Sequence, residues 1–162
     1  MSFKLFFNLL LVLSVICVQG SSQSPGFDKS AFYHAMASEK TEEINNQLSI
    51  VRSSSVTEKD AYEGALLMKK AGLVTKAKEK LNLFKTGRVK LESSIKKEPG
   101  NTEFYFLRII IQEHAPKMVK YNHDLENDSL QIRTNYKNLP PVVQQAISDY
   151  SKKSKVLKPL QP

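Results

Sequence analysis

The chain has 162 residues, 24 lysines and arginines against 16 acids, a formal charge of +8, one cysteine and no tryptophan. That length fits one ordinary domain with a core large enough to fold unaided, and a lone cysteine excludes an internal disulfide and a cysteine-rich metal site. The positive balance favours anionic partners and says nothing of the fold.

The opening "MSFKLFFNLLLVLSVICVQG" carries Lys4, an apolar run from Leu5 to Cys17, and small residues with Val18 and Gly20 placed before a cut at Ser21. This pattern predicts a secretory signal peptide over 1–20. A permanent anchor needs roughly 20 apolar residues, and this run is shorter, so the mature chain is expected to have no integral span. Ile16 before Cys17 is too bulky for lipoprotein processing. Cys17 leaves with the signal, so the mature chain has no thiol and depends on packing for its stability. Export, to the periplasm or outside the cell, also removes nucleic acid as a partner.

A flexible lead is expected over 21–27, and a first helix over "KSAFYHAMA". Ile44, Leu48 and Val51 recur at helical spacing on a second, which "RSSSV" interrupts. Thr57 is placed to cap a third helix, "EKDAYEGALLMKKAG", and Gly72 to end it. From Thr75 runs the longest predicted helix, with Val74, Ala77, Leu81, Phe84, Leu91 and Ile95 as a seam for another helix. Arg88 sits on that seam beside Gly87, which implies either a bend or a close neighbour. An arginine stem lying along the core edge with its head in water is the simplest account of Arg88.

Pro99 and Gly100 stop the long helix, and Asn101 is placed to cap the next. "FYFLRIII" is apolar on nearly every side and reads as a buried helix, because no second stretch offers a strand to pair with it. "HAP" closes it at Pro116. Two more helices follow, "HDLENDSLQIRTNYKNL" with Leu125, Ile132, Tyr136 and Leu139 on one side, and "PVVQQAISDYSKK" with Pro141 at its first position. Lys152, Lys153, Lys155 and Lys158 make a basic, frayed tail over 152–162. The prediction is an all-α chain of about seven helices, with one domain over 28–151 built of antiparallel hairpins stacked as a short solenoid or bundle.

The small, large, small, proline series from Gly87 through Leu91 and Ser94 to Pro99 resembles the second half of a tetratricopeptide repeat. "MKKAGLVTKAKEKL" is similar to that repeat's inter-helix turn, with Gly72 and Ala77 in the glycine and alanine places. The helix from Thr75 is longer than one repeat allows, and Ile109 stands where a small residue is expected. The chain also resembles small exported bacterial proteins with helices of this kind. The resemblance implies a concave surface that holds a protein or peptide, with no cofactor.

Motifs for chemistry are sparse. His34, His114 and His123 do not have the four-residue spacing of a helical zinc pair. "DLENDSLQIRTN" opens like a calcium loop but carries Ser129 where that loop needs glycine and Asn135 where it needs a bidentate glutamate. No phosphate loop, serine elbow or cysteine nucleophile is present, and Asn127-Asp128-Ser129 is a sequon. The expectation is a binding protein and no enzyme.

The candidate binding residues are Tyr105, Arg108, Glu113 and His114 around the apolar helix, with Lys152 and Lys153 of the tail. Arg108 is expected either to pair with a glutamate of a neighbouring helix or, with Tyr105, to face a groove for an acidic or phosphate group. Glu113 and His114 are the pair an acid–base enzyme would use. The alternative to a protein partner is an anionic envelope surface, acidic lipid or polysaccharide, met through the basic face and tail.

Overall fold

A computed structural model describes residues 26–157. The predicted signal peptide, residues 21–25 of the lead, and 158–162 of the tail with Lys158 lie outside the described residues. Those described form seven α-helices and no strand, as the periodicity predicts.

Helix α1, Lys29–Ala37, starts at Asp28, whose carboxylate accepts from the backbone N–H groups of Ser30 and Ala31 at 2.6 and 3.0 Å. It buries Phe32, Tyr33, Ala35 and Met36. The lead is ordered at its end, where the Phe27 ring lies 4.7 Å from Tyr62. Helix α2, Thr41–Ser53, buries Ile44, Leu48 and Val51, the stripe read from the sequence.

Helix α3, Lys59–Leu73, buries an unbroken run from Ala61 to Met68. Such burial on every side marks an interior helix, and α3 packs against α2, α4 and α5. Its ends differ from those expected. Thr57 does not cap it, because Val56 to Lys59 close a backbone turn and Glu58 occupies the cap with no side-chain bond. Gly72 does not end it. The helix runs on to Leu73, which packs against the core, and Val74 leaves in extended geometry.

Helix α4, Ala77–Lys97, runs antiparallel to α3, and the two backbones touch. A Cβ on Gly64 would stand 2.7 Å from the Gly87 carbonyl and 2.8 Å from the Leu91 nitrogen, and one on Gly87 would stand 2.5 Å from the Gly64 carbonyl. The close neighbour, and not a bend, explains Gly87. The predicted seam is buried only beyond this crossing, at Leu91 and Ile95, together with Ser94; Ala77 is exposed, Leu81 is 47% exposed and Val74 lies outside the helix. Arg88 is half-buried with its guanidinium 4.8 Å from the centre of the Tyr121 ring.

Helix α5, Thr102–Gln112, buries every residue but Tyr105, so "FYFLRIII" is the core helix it was read to be. Asn101 is its cap residue but makes no side-chain bond there. A 3₁₀ turn over Lys117–Val119 leads to α6, Leu125–Asn135; a second, Tyr136–Asn138, leads to α7, Pro141–Ser151, with proline in its first position. Beyond neighbours in the chain, α1 packs on α7, and the Phe106 ring sits between Tyr33 and Tyr150 at 5.6 and 5.8 Å.

The tail is not frayed as far as it is described. Residues 154–157 turn back beside α5 and α6: Glu113 accepts from Ser154 Oγ and the Lys155 N–H, each at 2.7 Å, and Arg133 donates to the Val156 carbonyl at 3.0 Å. Leu157 is fully buried. An apolar anchor and a half-buried acceptor outweigh the repulsion among the lysines.

The Gly64–Gly87 contact gives a direct expectation. Alanine at either position is expected to cost about 1–3 kcal/mol in chemical denaturation, as overpacking does. Gly72, with nothing within 4 Å of a built Cβ, is expected to gain up to about 1 kcal/mol from the same change.

Candidate functional site

The six residues singled out in the sequence fall into two groups. Tyr105 and Arg108 share one face of α5, the guanidinium 5.7 Å from the Tyr105 ring, and Tyr105 donates to the Pro99 carbonyl at 2.6 Å. Arg108 binds Asp128 of α6 through two parallel bonds, Nε–Oδ2 and Nη2–Oδ1, both 2.7 Å. Its Nη1 reaches Glu92 of α4 at 2.9 Å and lies 3.7 Å from Asp124. Tyr121 donates to the other Glu92 oxygen at 2.5 Å, and Gln112 to Asp124 at 3.0 Å.

Burial works against the Arg108 charge, but the Asp128 bonds and the nearby Glu92 and Asp124 carboxylates outweigh it, so the guanidinium pKa stands above its ordinary value. The expected pairing is therefore present, with an aspartate as the main partner and a glutamate as the second. Three carboxylates around one cation leave the locality acidic, which turns an incoming anion away. Arg108 thus joins α4, α5 and α6 and does not open a groove for phosphate. The segment with alternate acids is helical, and its Asp124 and Asp128, four residues apart, both face Arg108.

The second group surrounds Tyr150. His114 stacks edge-on to its ring at 6.3 Å and its Nδ1 lies 3.0 Å from the Ile110 carbonyl, while Lys153 Nζ is 5.6 Å from the ring centre. Glu113 holds the tail backbone, as above. Lys152 pairs with Asp149 at 2.6 Å. Each of the four is occupied by a neighbour, and Glu113 and His114 bond to different partners.

A third place was not read from the sequence. An open, shallow groove of about 720 Å³ runs between α2, α3 and α4. Leu48, Leu67 and Leu83 form its floor, and Asn45, Ser49, Ser53, Arg52 and Lys70 its rim. Arg52 is fixed by one bond, Nε to Glu63 at 2.8 Å, and its two Nη groups have no hydrogen-bond partner among the described residues. Lys70 has no ion pair among them either. Burial raises the Glu63 carboxyl, but bonds from Arg52 and Lys90 win and hold its pKa below the ordinary value. It stays ionised and anchors Arg52 at the rim. "RSSSV" carried part of this site, but as a sequence it marks only the end of a helix.

Removing Arg108 alone, as Arg108→Met, is expected to cost about 3–5 kcal/mol, because Asp128 is left buried without its partner. Arg108→Met with Asp128→Leu is expected to recover most of that in the same denaturation measurement. No family model, curated protein or solved structure matches the chain, so its work is argued from this groove and the charges around it.

Proposed function

We propose that the chain is an exported helical protein that acts by contact, holding an acidic, partly apolar segment of another protein in the α2–α3–α4 groove. The observation that carries this reading is the groove's make-up: an apolar floor, amide and hydroxyl groups along the rim, and two cations with free donors. Apolar side chains of a partner gain by covering Leu83, the half-buried part of the floor, while Arg52 and Lys70 select for carboxylates and speed the encounter.

The tetratricopeptide-like reading is supported by the burial of Gly87, Leu91 and Ser94 on α4, the small, large, small series that lets paired helices approach. The structural bonds of Glu113 and His114 support contact over turnover. The sequence of residues 1–20 supports export, with the mature chain beginning at Ser21.

Two measurements test this. Ser49→Trp fills the groove from its exposed rim, and Lys70→Glu reverses its charge; each is expected to weaken capture of an acidic partner from the envelope fraction about tenfold or more. Capture that is unchanged in both, with helix content intact, would remove the groove from consideration. Mass spectrometry of the exported protein is expected to place its N-terminus at Ser21, and an exported form retaining residues 1–20 would contradict cleavage.

A further inference from the structure

The positive charge of this chain is not spread evenly. Between Lys69 and Thr86 there are six lysines and a single acid, Glu79, so these 18 residues hold more than half of the formal +8. Lys69 is paired with Glu39 at 2.9 Å. Lys70, Lys76, Lys78, Lys80 and Lys85 have no ion pair among the described residues.

The same stretch contains the turn of the α3–α4 hairpin. Residues 75–82 are exposed without interruption, and because successive helical residues point about 100° apart, the start of α4 is covered by little beyond the adjoining end of α3. The hairpin end projects from the body. Leu81 continues the seam one turn beyond Phe84 and is 47% exposed, and Val74 lies in the adjoining turn.

These lysines do not serve the helix that carries them. Lys76 occupies the α4 cap with no side-chain bond, and Lys78 and Lys80 follow in the first turns. Cations there oppose the helix dipole. Every cation from 69 to 86 is a lysine, a flexible point charge, whereas recognition of one defined carboxylate or phosphate favours the rigid arginine fork. A convex end with lysines on long stems and apolar side chains between them matches a laterally extended anionic layer with an apolar layer beneath it.

We infer that the end of the α3–α4 hairpin docks on an anionic lipid surface, with Lys76, Lys78 and Lys80 against the headgroups and Leu81 and Val74 entering the interface. This site is separate from the peptide groove, whose rim lies largely on α2, and it moves the surface-binding role away from the C-terminal lysines. Lys152 is neutralised by Asp149, and the tail is folded against the body.

The test is co-sedimentation of the chain from Ser21 with vesicles of equimolar phosphatidylcholine and phosphatidylglycerol, and with phosphatidylcholine alone. Binding is expected on the anionic vesicles only, falling steeply with salt. Lys76→Gln, Lys78→Gln and Lys80→Gln are each expected to lower partitioning about fivefold. Arginine at all three positions is expected to retain binding, which separates charge from helix geometry. Leu81→Ser should remove the part of binding that survives high salt, and Lys152→Gln with Lys153→Gln should change nothing. Partitioning of the triple glutamine variant equal to the parent chain would overturn the proposal. So would dependence on the tail pair, or binding of soluble polyglutamate through the same lysines with none to vesicles, the last pointing to an acidic protein.

Discussion

The backbone contact between Gly64 and Gly87 fixes more of this molecule than any other feature. It holds the largest hairpin, α3 with α4, at a separation that no side chain permits. From that crossing follow the burial of Leu91 and the reach of Lys90 to Asp60 at 2.6 Å and to Glu63 at 3.1 Å. The hairpin continues past this crossing to its turn, where the exposed start of α4 has the end of α3 beside it. The apolar stripe of α4 continues into that exposed start, but only the part opposite the body is covered. One close approach thus divides the helix into a packed half and a projecting half.

Helix α5 is then registered by two buried polar clusters, one at each end of its contact with the body. Glu103, almost fully buried, accepts from Lys29 at 2.7 Å, Tyr33 at 2.8 Å and Tyr62 at 2.9 Å. An isolated buried carboxylate is very costly, and three donors together with the start of a helix offset that cost. Burial first, and then the Glu103 charge, push both tyrosine hydroxyls above their ordinary pKa, so they remain donors. Arg108 does for α4, α5 and α6 what Glu103 does for α1, α3 and α5. Apolar contacts alone would tolerate a sliding helix. Paired charges with fixed geometry tolerate far less, and among the described residues, which include no cysteine, they take the place of a covalent tie.

Period and punctuation made most helices legible. The first helix has the predicted bounds, Pro141 opens the last, and the apolar run from Phe104 to Ile111 is helical, with no strand among the described residues to pair with it. What failed was local signals overruled by packing. Gly72 looks like a terminator, but Leu73 finds core contacts and carries the helix past it. The lysines at 152 to 155 look like a solvated end, but Leu157 and Glu113 pull the backbone in. The partners of Arg108 are half visible: Asp124 and Asp128 lie four residues apart, a helical spacing that in the sequence also resembles the start of a metal loop. The groove was not legible, because it needs the distance between α2 and α4, and no periodicity encodes that distance.

The ion pairs also explain where the net charge resides. Lys90 and Arg108 are matched to buried or half-buried carboxylates, and Lys29 to Glu103, so the interior cations are largely spent within the fold. The acids are consumed in the same pairs, since Glu63, Glu92, Glu103 and Asp128 all face inward. Lysines on the hairpin end therefore have few acids left near them, and the field outside the protein is dominated by that end. A fold that uses its carboxylates to fix helix register concentrates its positive potential where register matters least. In this chain that place is the projecting start of α4, next to the groove floor at Leu83, so an anionic surface met by the lysines would hold the groove close beside it.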